Sequence, residues 1–139
     1  STNMAEAEPL SHIYGAAAGV DMTRRDHQNK AKETRRPWDT SKDVEKSAVV
    51  TPLRLMSDVP SVGEGQIHLE QNGTIKQEAD LSQMVWSVPE IIADLSLMYT
   101  LQQGDVVFMG TPAGVGAVER GDVITGGVDG IADFSFKIA

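Results

Sequence analysis

The segment VDMTRRDHQ, residues 20–28, concentrates side chains that could do chemistry. Asp21 ends an apolar stretch, and two arginines, Arg24 and Arg25, follow it together with Gln28. A carboxylate at the end of a rigid strand can be aimed into a cleft and can ligate a metal ion. The same acid can instead complement the dipole of a following helix, so these residues alone leave both interpretations open.

Two further segments carry candidate site residues. Lys42 follows Pro37-Trp38 in a polar loop, where it could stabilise a developing enolate or oxyanion, although a solvated lysine is the simpler interpretation. The glycine-rich segment GTPAGVG, residues 110–116, lacks the Lys-Ser/Thr ending of a P-loop. Its backbone N–H groups and Thr111 could still hold a carboxylate, and the alternative is a plain turn at the end of a strand.

Other polar patterns are weaker as sites. Glu6 and Glu8 are spaced like paired ligands on a strand, but MAEAEPL indicates the start of a helix, where the two side chains diverge. The three histidines, His12, His27 and His68, show no metal-ligand spacing. No GxSxG motif is present, so a serine esterase has no support.

Composition limits the class of protein. The chain has 139 residues, 40% hydrophobic content, a net charge of −8 and no cysteine, which predicts one globular domain over residues 1–139. A negative chain argues against nucleic acid as the main partner, and no apolar run reaches the roughly 18 residues that cross a membrane. A metal must be held by oxygen or imidazole, which favours magnesium, manganese or calcium over structural zinc.

The first residues, STNMAEAEPL, show no basic segment followed by an apolar one, so we expect no signal peptide. The lack of cysteine agrees with a reducing cytoplasm, which is the expected location. The sequence starts at Ser1 rather than at a methionine, so we expect that residues preceded it.

Two helices are predicted around the candidate residues. Thr23 is a candidate N-cap for a polar helix, RRDHQNKAKETR, that stops before Pro37. Ser87 and Glu90 match a capping box, and apolar residues at helical spacing follow them, so residues 88–100 are predicted as the second helix.

Strand signals occupy much of the remaining sequence. Asn72-Gly73 lies between alternating residues and predicts a type I′ hairpin. Strands are also predicted for IYGAAAGVDM, VVTPLRL, GDVVFMG from position 104, GDVITGG from position 121, and the closing ADFSFKIA. The chain is therefore predicted to be one strand-rich α+β unit.

The order of these motifs resembles the C-terminal part of the fumarylacetoacetate hydrolase family, from about residue 5 to the end of the chain. The most specific motifs are DMTRRDHQ, SQMVWSVPEII and GTPAGVG, and among subgroups they are most similar to bacterial fumarylpyruvate or acylpyruvate hydrolases. The resemblance implies a strand-rich mixed β-roll, α+β in class, that forms a homodimer.

The resemblance also implies roles for five residues. Asp21 matches a ligand of a divalent metal, Mg²⁺ or Mn²⁺, with Ca²⁺ as a substitute in crystals. Lys42 matches the active-site lysine, and Arg25 and Gln28 match positions near the substrate, with Gln28 the more direct contact. Thr111 matches the threonine that contacts the substrate carboxylate.

The implied activity is metal-dependent hydrolysis of the C–C bond of an acylpyruvate, a diketo acid, in the breakdown of aromatic compounds. The family also uses an upstream E-x-E pair and a lid with a histidine and an acid, which this sequence lacks. We therefore expect a domain truncated at its N-terminus that is weakly active or inactive alone. The alternatives are an oxaloacetate decarboxylase, a diacid decarboxylase or isomerase on the same scaffold, and an inactive paralogue.

Overall fold

The computed structural model describes residues 9–139. They form two helices, two short antiparallel strand pairs and one four-stranded antiparallel sheet, which confirms the strand-rich α+β class. The strands are β1 (Gly15–Ala16), β2 (Gly19–Asp21), β3 (Ala48–Val50), β4 (Arg54–Leu55), β5 (Gln66–Gln71), β6 (Thr74–Asp80), β7 (Val123–Val128) and β8 (Ala132–Lys137). The helices are α1 (Arg25–Glu33) and α2 (Val88–Met98). In this part of the chain, no helix is long and apolar enough to cross a membrane.

The four-stranded sheet has the order β6-β5-β7-β8 and holds much of the core. The predicted hairpin between β5 and β6 is confirmed, because Asn72 and Gly73 both have positive φ, 54° and 76°, as a type I′ turn requires. Ile124 of β7 is only 2% exposed. GDVITGG and ADFSFKIA form β7 and β8 as predicted, and burial alternates along β8.

The two predicted strands nearer the N-terminus are each divided in two. β2 pairs with β3 and β1 pairs with β4, both antiparallel. Between the two pairs, the Thr51 N–H donates to the Ala18 carbonyl at 2.9 Å, and the Ala18 N–H donates to Thr51 Oγ1 at 3.1 Å. Pro52 follows and has no N–H to continue the ladder, so the ribbon is interrupted there.

The second helix follows its sequence signal. The Glu90 N–H donates to Ser87 Oγ and the Ser87 N–H donates to Glu90 Oε2, so the predicted capping box is present. Helix α2 ends at Met98, two residues before the predicted end.

The predicted N-cap of the first helix is wrong. Arg24, not Thr23, occupies the N-cap position of α1, and no side chain caps it. The Arg24 N–H donates to the Ser41 carbonyl, 2.9 Å away, so a tertiary contact fixes the residue at which the helix begins. Arg24 also hydrogen-bonds the exposed Asp26 carboxylate in the first turn and lowers the pKa of that carboxyl to about 2.

The strand predicted for GDVVFMG is also wrong, since residues 104–110 do not form a strand. Within the described residues, no neighbouring strand pairs with this backbone. Val106 and Phe108 are 70% and 47% exposed. An alternating apolar sequence forms a strand only where a partner accepts its hydrogen bonds, and these residues lack one here.

The GTPAGVG segment packs against a β-bulge in the sheet. The register between β5 and β6 shifts so that Leu69 faces Gln77 and Glu70 faces Ile75, which leaves Lys76 unpaired. The Lys76 carbonyl oxygen lies where a Cβ on Gly114 would be, and Gly114 has φ +104°. Only glycine allows this close approach of two backbones.

We therefore expect Gly114→Ala to destabilise the full-length protein by about 1–3 kcal/mol, because the new Cβ clashes with the Lys76 carbonyl and φ is strained. Gly116→Ala is the matched control, since nothing lies within 4 Å of its Cβ position. Urea unfolding curves measure both variants. Equal midpoints for the two would contradict the packing of this segment against the bulge.

Asp122 joins the turn of the β5–β6 hairpin to β7. Its carboxylate accepts hydrogen bonds from the Glu119 N–H at 2.8 Å, from the Asn72 amide at 2.8 Å and from the Gln71 amide at 2.6 Å. These donors, the Glu119 N–H first, lower the pKa of Asp122. A carboxyl with a lowered pKa stabilises the fold above its ordinary pKa and loses that contribution as the pH falls through the lowered value.

Asp122→Asn should therefore lower the melting temperature at neutral pH, because the new amide group places its N–H donors against donors. It should also flatten the decline in melting temperature as the pH falls below the ordinary carboxyl pKa. Asp133→Asn is the control, because the Asp133 carboxylate makes no hydrogen bond within residues 9–139. An unchanged acid limb in Asp122→Asn would show that the three bonds do not favour the charged form.

Candidate active site

Asp21 and Lys42 meet in an ion pair at the end of β2. Lys42 Nζ donates to Asp21 Oδ2 at 2.5 Å, and both side chains are 41% exposed. Asp21 is held by pairing with Ala48 of β3. Asp21 Oδ1 makes no hydrogen bond with residues 9–139 and so can bind another partner.

The backbone around Lys42 is fixed by buried polar contacts. Lys42 follows a 3-10 turn, Asp39–Ser41, whose last residue is completely buried. Ser41 Oγ donates to the Trp38 carbonyl at 2.5 Å, and the Ser41 carbonyl accepts the Arg24 N–H at 2.9 Å. The start of α1 and the turn before Lys42 are therefore tied together, which sets the position of the lysine relative to Asp21.

Arg25 and Gln28 form a second pair on α1. Arg25 Nη1 donates to Gln28 Oε1 at 2.8 Å, and Gln28 is 7% exposed. Because the Gln28 carbonyl oxygen is engaged by the guanidinium, its amide nitrogen is oriented away as a donor. Gln28 Nε2 is therefore the group of this pair that is left to donate, in a side chain that is largely buried.

An open depression of about 640 Å³ lies beside the Asp21–Lys42 ion pair. Trp38 lines this depression, and Lys32 Nζ lies 5.2 Å from the centre of its ring. Seven of the twelve Lys and Arg residues, but only three acids, fall within residues 24–42. In a chain of net charge −8, this segment is therefore locally positive and attracts anions. The depression is lined by Arg36, Pro37, Trp38, Asp39 and Lys42.

Thr111 contacts a residue that the sequence did not single out. Gln77 Nε2 donates to Thr111 Oγ1 at 2.8 Å and to the Pro112 carbonyl at 2.7 Å. Gln77 is the one buried residue of β6, and a lone glutamine in an alternating hairpin gives no signal of this contact. The same segment approaches β2, because Phe108 Cε1 lies 3.3 Å from the Cβ position of Gly19.

The structure therefore joins Asp21 to Lys42 and Arg25 to Gln28, whereas Thr111 is held by Gln77. The metal-ligand, catalytic and substrate-binding roles of these residues stay predictions. The geometry does place the first four around the contact between the end of β2, the start of α1 and the turn before Lys42.

The carboxylates of the described residues do not complete a metal site. Within residues 9–139, no three His, Asp, Glu or Cys side chains come together as ligands. A hard divalent ion prefers about six oxygens, and Asp21 offers one free oxygen. The paired acids Glu6 and Glu8 lie outside the described residues.

Known proteins resemble this chain in both sequence and fold. A fumarylpyruvate hydrolase of a Ralstonia species is 52% identical over 126 residues, which are 91% of this chain and 65% of that protein. The mitochondrial oxaloacetate tautomerase of Rattus norvegicus is 36% identical over 96% of this chain and 60% of its own length. The chain thus spans less than two thirds of the length of these relatives.

A solved structure gives the same result for the fold. Fumarylpyruvate hydrolase from Pseudomonas aeruginosa, in complex with Mn²⁺ and pyruvate, superposes with a TM-score of 0.95 at 39% identity. The match covers 99% of this chain and 59% of that one. The family model for the C-terminal domain of fumarylacetoacetate hydrolase matches residues 1–139. This chain therefore belongs to the fumarylacetoacetate hydrolase C-terminal family.

Proposed function

We propose that the protein containing this chain hydrolyses the C–C bond of an acylpyruvate, with fumarylpyruvate as the favoured substrate, in the breakdown of aromatic compounds. The observation that carries the proposal is the Asp21–Lys42 pair at the end of a strand, beside an open and locally basic depression. The name of the Ralstonia relative, at 52% identity, supports the substrate class.

The chemistry needs an anion to be stabilised at the moment of cleavage. Breaking the C–C bond of an acylpyruvate expels a pyruvate enolate, and a positioned ammonium group favours that developing charge. Lys42 is the candidate for this role because its ammonium is held in place by Asp21 rather than moving freely. Gln28 and Thr111 are proposed to hold the substrate, Gln28 through its amide nitrogen and Thr111 through its hydroxyl group.

We also propose that a divalent ion, Mg²⁺ or Mn²⁺, takes part, with Asp21 as one of its ligands. The Mn²⁺ in the Pseudomonas aeruginosa structure supports a divalent ion. When bound, such an ion polarises the carbonyl group that water attacks. Asp21 Oδ1 is the carboxylate oxygen proposed to bind it, and within residues 9–139 no group of three His, Asp, Glu or Cys side chains comes together around such an ion.

A homodimer is the proposed assembly. Leu97, Met98 and Tyr99 at the end of α2 are 61–64% exposed, and apolar residues this accessible are typical of surfaces that another chain or segment covers. Sedimentation of the full-length protein tests this directly, because a dimer has twice the mass of one chain. A monomer over the whole micromolar range would contradict it.

A second candidate function is tautomerisation of oxaloacetate, which is favoured by the name of the Rattus norvegicus relative. Both reactions pass through an enol or enolate of a 2-oxo acid, so the same lysine could serve either. The hydrolase is preferred because identity is 52% to the Ralstonia enzyme and 36% to the tautomerase. Rates measured on fumarylpyruvate and on oxaloacetate with one preparation separate the two.

Asp21→Ala and Lys42→Ala should each lower turnover of fumarylpyruvate by at least ~100-fold in the full-length protein, because each removes one electrostatic stabiliser of the reaction. Lys137→Ala is the control, because it removes an exposed lysine on β8, a strand that carries none of the candidate site residues. Loss of the enol absorbance of the substrate measures the rates. Near-normal activity in either site variant would refute the role of that residue.

A further inference from the structure

Gln77 has a position unlike that of the other polar residues of β6. It is 9% exposed and lies next to the bulge at Lys76, where the sheet meets the GTPAGVG segment. Its amide nitrogen reaches two successive residues of that segment, Thr111 and Pro112, at 2.8 Å and 2.7 Å. A buried side chain that donates both of its amide hydrogens to one loop restricts the conformation of that loop.

The direction of these hydrogen bonds has a chemical consequence. The Pro112 carbonyl can only accept, so the group that faces it must be the amide NH₂ of Gln77. An NH₂ group has no free lone pair to accept with, and therefore Thr111 Oγ1 is the acceptor in the second bond. The hydroxyl hydrogen of Thr111 then points away from Gln77. Thr111 is exposed, so that hydrogen is available to a ligand.

We propose that Gln77 is a positioning residue that makes Thr111 a dedicated hydrogen-bond donor to a carboxylate of the substrate. The proposal rests on the proposed function, since it takes the ligand at Thr111 to be the carboxylate of a 2-oxo acid. Because the Thr111 hydroxyl oxygen already accepts a hydrogen bond from Gln77, the hydroxyl group contacts an anion through its hydrogen. The close approach of Gly114 to the Lys76 carbonyl holds the rest of the loop against the sheet while the hydroxyl faces outward.

Gln77→Glu tests the direction of the bond at almost constant shape. A carboxylate at this position can only accept, so it turns the Thr111 hydroxyl inward and repels the Pro112 carbonyl. In the full-length protein with Mn²⁺, calorimetry with pyruvate should show binding weakened by about tenfold to hundredfold, the usual scale for a hydrogen bond to a charged group. The KM for fumarylpyruvate should rise by the same factor while kcat changes less than about threefold, because the contact is remote from the bond that breaks.

Two controls separate positioning from a general effect on the fold. Gln103→Glu adds the same charge at an exposed position outside the loop and should leave pyruvate binding unchanged. Gln77→Met removes the donor without adding charge. It should weaken binding in the wild-type background and have almost no further effect when combined with Thr111→Val, because the two act through one hydroxyl. This pair also serves if Gln77→Glu does not fold.

The outcomes distinguish the inference from the proposed function. Pyruvate binding that depends on Gln77 only when Thr111 is present supports the inference even if fumarylpyruvate is not cleaved, in which case the proposed function fails. Cleavage with an unchanged KM in Gln77→Glu overturns the inference and leaves the function standing. The inference is also overturned if Gln77→Met weakens pyruvate binding equally in the wild-type and Thr111→Val backgrounds, or if the wild-type protein binds no pyruvate.

Discussion

The contact between Asp21 and Lys42 is the interaction that the candidate site depends on. The two residues are 21 positions apart, and three features bring them to 2.5 Å: the β2–β3 ladder, the bond between Arg24 and Ser41, and the complete burial of Ser41. Because both side chains are partly exposed, the pair adds little to stability. Its importance lies in holding an ammonium and a carboxylate oxygen at fixed positions beside a basic depression.

The four-stranded sheet holds the segment that carries Thr111, the fifth candidate residue. Gly114 packs against the bulge at Lys76, and Gln77 hydrogen-bonds Thr111 and Pro112. These contacts fix the GTPAGVG segment to the sheet, although the preceding GDVVFMG segment has no strand partner within residues 9–139. Phe108 approaches β2 at Gly19. One extended segment therefore connects the sheet with the strand that ends in Asp21.

Local patterns predicted the local structure well. The Asn72-Gly73 hairpin and the Ser87–Glu90 capping box are confirmed because a few adjacent residues determine each of them. Thr23 was predicted wrongly because a tertiary contact of Arg24 fixes the start of the helix. GDVVFMG was predicted wrongly because no strand partner lies beside it within residues 9–139. Gln77 was missed for a related reason: its partner Thr111 lies 34 residues away, and no sequence pattern encodes that pairing.

The proposed function is metal-dependent hydrolysis of an acylpyruvate by the protein that contains this chain. The most direct measurement follows the enol absorbance of fumarylpyruvate with the full-length protein in Mn²⁺ or Mg²⁺, and then after addition of EDTA. A metal-dependent hydrolase gives a decay that EDTA abolishes and that added metal restores. A decay that is indifferent to EDTA, or no decay in a protein that binds the metal, would contradict it.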